Sequence, residues 1–172
     1  MKRIVLLSLT IALGAIGFFA ATALAHNARQ ASVTVSLRKT PLGAVLVNSR
    51  GHTLYLFGKD RQGKSACTGP CARFWPPLLV HGKPTAGANV NASMLGTTRR
   101  AGGVLQATYN KHPLYTFALD KRAGQTKGEG QLAFGARWYA LSARGTAVLK
   151  ASSSAPPTTS TTTTTACYYP PC

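Results

Sequence analysis

Acid is what this sequence lacks most. Of 172 residues only three are Asp or Glu, against twenty Lys and Arg, for a formal net charge of +17. So few carboxylates leave little with which to orient a catalytic His or to run paired acid–base hydrolysis. A Gly-rich phosphate loop, a Gly-x-Ser-x-Gly and a His-Glu-x-x-His are also missing. Their absence removes the usual signatures of nucleotide, ester and zinc-peptidase chemistry. No stretch carries convincing helical periodicity, and only the first 25 residues hold a long apolar run. No Cys directly follows that run to accept a lipid, and there is no twin Arg. An enzyme is not what these absences describe.

What is present begins at the two ends. Lys2 and Arg3 precede an apolar stretch from Ile4 to Ala20, and Ala23-Leu24-Ala25 supplies small residues for a signal peptidase. Residues 1–25 therefore read as a signal peptide cut before His26, with no transmembrane segment left after cleavage. At the other end, residues 151–166 are Ser, Thr, Ala and Pro only. Such a segment buries too little apolar surface to offset its ordering entropy, so it reads as a disordered linker or stalk, open to O-glycosylation. Residues 167–172, Cys-Tyr-Tyr-Pro-Pro-Cys, close the chain as a Cys-bracketed terminal peptide. One folded domain is expected between them, over residues 32–150.

Removing Lys2 and Arg3 with the signal lowers the formal charge from +17 to +15. Charge of that size draws any polyanion in a salt-dependent way. For an exported chain the partners are anionic cell-wall polymers or lipid head groups, with no specific nucleic acid. The plainer reading is that scattered basic residues keep an exported protein soluble.

The folded part repeats itself. Tyr55-Leu-Phe57-Gly-Lys-Asp60 returns sixty positions later as Tyr115-Thr-Phe117-Ala-Leu-Asp120. Gly43, His52 and Leu54 fall on Gly103, His112 and Leu114 at the same offset. Further on the offset is 63, and the only two tryptophans, Trp75 and Trp138, coincide. Repeat one spans about 33–87 and repeat two about 92–147, neither expected to be stable alone. Val33, Val35 and Leu37 alternate with polar residues, as in a half-buried strand. Turns follow at Pro41-Leu-Gly43 and Asn48-Ser-Arg-Gly51, with strands at 44–47, 52–57, 104–109 and 112–117 and one around each Trp. The fold class is all-β: a small sandwich or barrel built from two tandem three- to four-stranded repeats. Tyr55 and Phe57 should face one side of their strand, Leu54 and Leu56 the other, with the aromatic and Trp pairs in the core.

Two of the three acids thus close the same phrase. Asp60 and Asp120 each follow a strand and precede a glycine, where an Asp can accept backbone N–H bonds and fix the turn. The functional alternative gathers Asp60, Asp120, His52 and His112 into one site for a divalent metal. Cys67 and Cys71 flank Thr-Gly-Pro, and an even set of four cysteines in an exported chain points to disulfides with three connectivities. Local pairs, Cys67–Cys71 and Cys167–Cys172, are expected, since the stalk disfavours crossed bonds. The rival use of Cys67 and Cys71 is redox or soft-metal chemistry, though the spacing suits neither haem attachment nor a thioredoxin-like site.

The doubled Tyr-x-Phe-x-x-Asp, the segment Cys67-Thr-Gly-Pro-Cys71-Ala-Arg-Phe-Trp-Pro-Pro-Leu78 and the Gly102-Gly103 pair resemble a bacterial secreted-repeat family. Its members are often labelled predicted lipoproteins and carry a repeated Tyr-x-(Phe/Trp/Tyr)-x-x-Asp motif. The resemblance covers roughly residues 33–145 and implies export and a β-rich repeat domain, with no established activity; no cofactor is expected. The whole reading is of a non-enzymatic exported module at or outside the cell envelope, binding anionic surface polymers. The alternative is an extracytoplasmic metal or redox protein using Cys67 and Cys71 with the His and Asp of the repeats.

Overall fold

The computed structural model describes residues 33–61 and 63–149. The expected signal peptide, the Ser/Thr/Pro linker and the Cys167–Cys172 pair lie outside the described residues. Strands dominate, as the alternation requires. In chain order they are β1 (Thr34–Thr40), β2 (Gly43–Val47), β3 (Tyr55–Phe57), β4 (Leu79–Val80), β5 (Thr85–Ala86), β6 (Leu95–Arg99), β7 (Leu105–Tyr109), β8 (His112–Pro113), β9 (Leu132–Ala133) and β10 (Ala136–Ala140). They form three small sheets, β2-β1-β5, β3-β10-β9 and β4-β7-β6 with β8 on β7. The class is all-β, and no closed barrel forms among the described residues. No helix among them is long and apolar enough to cross a membrane.

The first hairpin forms where Pro41 and Gly43 predict it. β1 and β2 pair antiparallel from Ser36↔Val47 to Thr40↔Gly43, and Thr40 Oγ1 accepts the Leu42 N–H at 3.2 Å. Thr40 Oγ1 also donates to the Gly43 carbonyl at 2.9 Å, which closes the turn.

The halves then interleave. Leu46 N–H donates to Leu141 O at 2.8 Å, Leu141 N–H to Leu54 O at 3.1 Å, and Leu54 N–H to Leu46 O at 2.8 Å. The second copy of this three-membered ring joins Ala107, Leu78 and Leu114, with bonds of 2.8, 2.9 and 2.9 Å. Leu141 belongs to repeat two and completes repeat one. Leu78 belongs to repeat one and completes repeat two. Each residue of a ring gives its N–H to one neighbour and its C=O to the other, so neither Leu54 nor Leu114 continues a two-stranded ladder. That is why the expected strand 52–57 is reduced to a bridge at Thr53 and the short β3.

At the centre the motif tyrosines face each other across an antiparallel bridge. Tyr55 N–H donates to Tyr115 O at 2.8 Å, and Tyr115 N–H to Tyr55 O at 3.0 Å. The layer they form is buried on both faces. Tyr55, Phe57, Tyr115 and Phe117 enter one apolar cluster with both tryptophans. Leu54, Leu56 and Leu114 enter a second cluster on the other side with Leu46, Tyr109 and Leu141. Burying a large apolar side chain contributes about 1.5–3 kcal/mol, so a strand buried on both faces anchors the domain.

Trp75 corrects one expectation. A strand was expected around each Trp; Trp138 lies in β10, but Trp75 caps a one-turn helix, α1 (Pro70–Phe74). Pro70 suits the first helical position, the Cys67–Cys71 bridge draws the turn tight, and Pro76 and Pro77 have no N–H for a ladder. Five residues are too few to show periodicity in the sequence.

Candidate functional site

The doubled phrase builds a reciprocal lock. After β3 the chain turns, and Asp60 N–H donates to Phe57 O at 3.0 Å; Asp120 N–H repeats this bond to Phe117 O at 3.0 Å. Each carboxylate then accepts a backbone N–H from the loop that follows it. Asp60 Oδ1 takes Ala66 N–H at 2.7 Å, and Asp120 Oδ1 takes Lys127 N–H at 2.9 Å. The second oxygen crosses to the other repeat. Tyr55 Oη donates to Asp120 Oδ2 at 2.6 Å, and Tyr115 Oη donates to Asp60 Oδ2 at 2.9 Å. Every Tyr of the motif therefore holds the Asp of the opposite copy.

The rings behind these hydroxyls form one column. Phe117 stacks on Trp75 (centroids 4.2 Å), Trp75 on Trp138 (3.9 Å, planes 4° apart) and Trp138 on Phe57 (4.1 Å). Tyr55 meets Trp75 edge-on at 5.4 Å, and Tyr115 meets Trp138 edge-on at 5.1 Å. Such pairs contribute about 0.5–1.5 kcal/mol each beyond area burial. The column leaves no space at Gly128, where a Cβ would stand 2.8 Å from both Trp75 Cη2 and Tyr55 Cζ. Gly128 N–H in turn donates to Tyr55 Oη at 3.3 Å. The copies differ at the indole nitrogens. Trp138 Nε1 donates to Ala133 O at 3.3 Å, while buried Trp75 Nε1 has no partner among the described residues.

Three further polar residues support the first lock. Tyr115 Oη lies 2.7 Å from Ser65 Oγ. Arg100 donates to Ser65 Oγ, to Gln106 Oε1 at 2.7 Å and to Cys67 O at 2.6 Å. Buried Gln106 donates to Leu114 O at 2.8 Å. Sequence reasoning missed Ser65, Arg100 and Gln106. A buried Gln inside a strand breaks no periodicity strongly enough to be noticed, and Arg100 stands in a chain full of arginines. Glu129, the third acidic residue, lies outside the doubled phrase and accepts Ala140 N–H at 2.7 Å.

Burial sets the electrostatics. Desolvation pushes the Asp60 carboxyl up from 3.8 to about 6, against the Ala66 N–H, the Tyr115 hydroxyl, Arg100 and Arg61, which favour the charged form. Desolvation also raises Asp120, opposed by Tyr55, Lys127 N–H, and the charges of His52 and Lys127. Burial raises Tyr55 and Tyr115, with their Asp partners adding to it, so both stay phenols that donate. Half-buried His112 is lowered by desolvation.

A pH test follows. Because the folded Asp60 carboxyl is raised, its contribution to stability is fully present below its ordinary value of 3.8 and is lost as pH rises through about 6. The wild type is therefore expected to gain stability relative to Asp60→Asn as pH falls from 7 to 4. The thermal midpoint of the wild type minus that of Asp60→Asn should become more positive as pH falls across that range; parallel curves would contradict the assignment.

The structure does not gather the residues proposed for a metal. Asp60 and Asp120 are bonded to opposite tyrosines, and among the described residues no three of His, Cys, Asp and Glu form a group that could hold an ion. Cys67 and Cys71 form a disulfide with Cα atoms 5.3 Å apart, which leaves neither sulfur as a thiolate ligand.

A model of a family described as a secreted repeat of unknown function matches residues 36–79 and 96–142. The matched segments fall inside the two repeats and carry both copies of the motif. No curated protein and no solved structure matches the chain. The repeat unit, the doubled motif and the matched segments agree: the chain belongs to this family of secreted repeats, and it is an extracytoplasmic protein.

Proposed function

We propose that this exported module is non-enzymatic and binds anionic polymers of the cell envelope through its Lys and Arg side chains. One observation carries the reading. All three acidic residues are turned to the protein's own backbone: Asp60 to Ala66, Asp120 to Lys127 and Glu129 to Ala140. A carboxylate already bonded in this way is poorly placed to act as a general acid or base on a substrate. Arg38, Arg50, Arg61, Lys64, Lys121 and Arg122, by contrast, are all exposed. The surface is therefore cationic with almost no acid of its own to compensate.

Attraction of this kind is screened over about 30 Å at 0.01 M salt and about 10 Å at 0.1 M. The mature protein should be retained on purified envelope polymer at low salt and released as salt is raised. Failure to bind at any ionic strength would overturn the proposal.

A further inference from the structure

Within the cationic surface one place is built rather than scattered. The turn at 48–52 and the loop after Asp120 are joined through their glycines, Gly124 N–H donating to Gly51 O at 2.9 Å. Thr53 Oγ1 adds a second tie, donating to Gln125 O at 2.7 Å. Arg38, on β1, lies across this junction. A Cβ on Gly51 would stand 3.2 Å from Arg38 Nη2, and one on Gly124 would stand 3.2 Å from Arg38 Cδ. Both glycines have positive φ, 78° and 77°, so any other residue there would be strained as well as crowded. The same turn and loop carry Arg50, next to Gly51, and Lys121 and Arg122, just before Gly124, all exposed. The one acid of the junction, Asp120, is only 2% exposed and is bonded inward to Tyr55.

The loop after Asp60 also receives an Arg from outside, and the two arginines are used differently. Arg100 is bonded to Ser65, Cys67 and Gln106, so its fork is used within the protein. The Arg38 side chain, whose backbone lies in the β1–β2 ladder, has no hydrogen-bond or ion-pair partner among the described residues. An Arg held in place by packing on glycine backbone, with its donors unused, is pre-organised for an oxyanion, because the planar fork fits phosphate in two bonds. Three more bases on the same junction exceed what a single oxyanion needs and suit a ligand that carries several.

We propose that Arg38, Arg50, Lys121 and Arg122 form a binding site for the phosphate groups of a phosphodiester wall polymer. This rests on the polyanion reading above and gives it an address. Removing any one of these phosphate-binding side chains should weaken binding and reduce the salt slope by about one.

The test uses the mature protein and poly(glycerol phosphate), with affinity measured across a salt series. The fourfold variant Arg38→Gln, Arg50→Gln, Lys121→Gln, Arg122→Gln should lose at least about tenfold in affinity at low salt and show a shallower salt slope. A control with the same charge loss elsewhere on the surface, Lys59→Gln, Arg73→Gln, Lys83→Gln, Arg144→Gln, should lose far less. Thermal unfolding checks that both variants fold. Should the fourfold variant not fold, Arg38→Lys alone keeps the charge, removes the fork and is expected to weaken binding severalfold. Equal losses in site and control variants, or undiminished binding by Arg38→Lys, would overturn the site while leaving the polyanion reading intact. No binding by the wild type at any salt would overturn that reading itself. Tighter binding to anionic lipid vesicles than to the polymer would overturn the assignment to a wall polymer.

Discussion

Residues 33–88 alone and residues 89–149 alone are each expected to be unfolded, and the two mixed together to regain the native fold. The cut falls at exposed Ala88 and Asn89, outside every strand. What the first fragment loses is specific. Leu46 and Leu54 lose Leu141, the third member of their ring. Tyr55 loses both the backbone of Tyr115 and the carboxylate of Asp120. Trp75 loses both stacking partners, Trp138 and Phe117. Removal of one buried Trp side chain already costs about 3–5 kcal/mol, against a typical domain stability of about 5–15 kcal/mol. Several such losses together exceed what a piece this short can sustain, since small chains bury a smaller share of their surface. Both fragments are basic, so mixing belongs at moderate salt, where their mutual repulsion is screened. Far-ultraviolet circular dichroism reports the strands, and the near-ultraviolet signal reports the tryptophan stack. A cooperative unfolding transition from either fragment alone would contradict the interleaving.

Asp120→Ala is the second large effect. The side chain is 2% exposed and answers two donors, Tyr55 Oη and Lys127 N–H. Leaving a buried donor unsatisfied costs about 1–3 kcal/mol, so the pair costs about 3 kcal/mol after some relief from removing a buried charge. For a domain of this size that lowers the thermal midpoint by roughly 10–15 °C. Asp60→Ala should cost less, because Asp60 is only half-buried and Tyr115 keeps Ser65 as a neighbour. Unfolding of both variants by heat and urea checks the order. An Asp120→Ala protein as stable as the wild type would show that the lock does not hold the fold.

Much of this was legible in the residues. The alternation around Tyr55 placed its ring and that of Phe57 on one face, Leu54 and Leu56 on the other, and the two apolar clusters divide them in that way. Cys67 and Cys71 flank a Gly-Pro turn, and they are joined. The exchange of segments was not legible. A repeat aligned on itself looks the same whether Leu141 returns to its own hairpin or completes its twin, because pairing over that distance leaves no local pattern. The Asp residues were legible in half. The glycine after each pointed to a bond with its own loop, but the crossing to a Tyr of the other copy depends on the central Tyr55–Tyr115 bridge. The cradle around Arg38 depends on two glycines seventy-three positions apart, which no window of sequence brings together.

The doubled motif ties the fold together, and binding is proposed to lie on the basic loops. The Tyr55→Phe, Tyr115→Phe double variant separates the two, since it removes both crossing hydroxyls and leaves every charge in place. Its thermal midpoint and its affinity for poly(glycerol phosphate) should be measured side by side, at a temperature where it is folded. The expected result is a lowered midpoint with unchanged affinity. An unchanged midpoint with lost affinity would make the motif itself the binding site and contradict this division of labour.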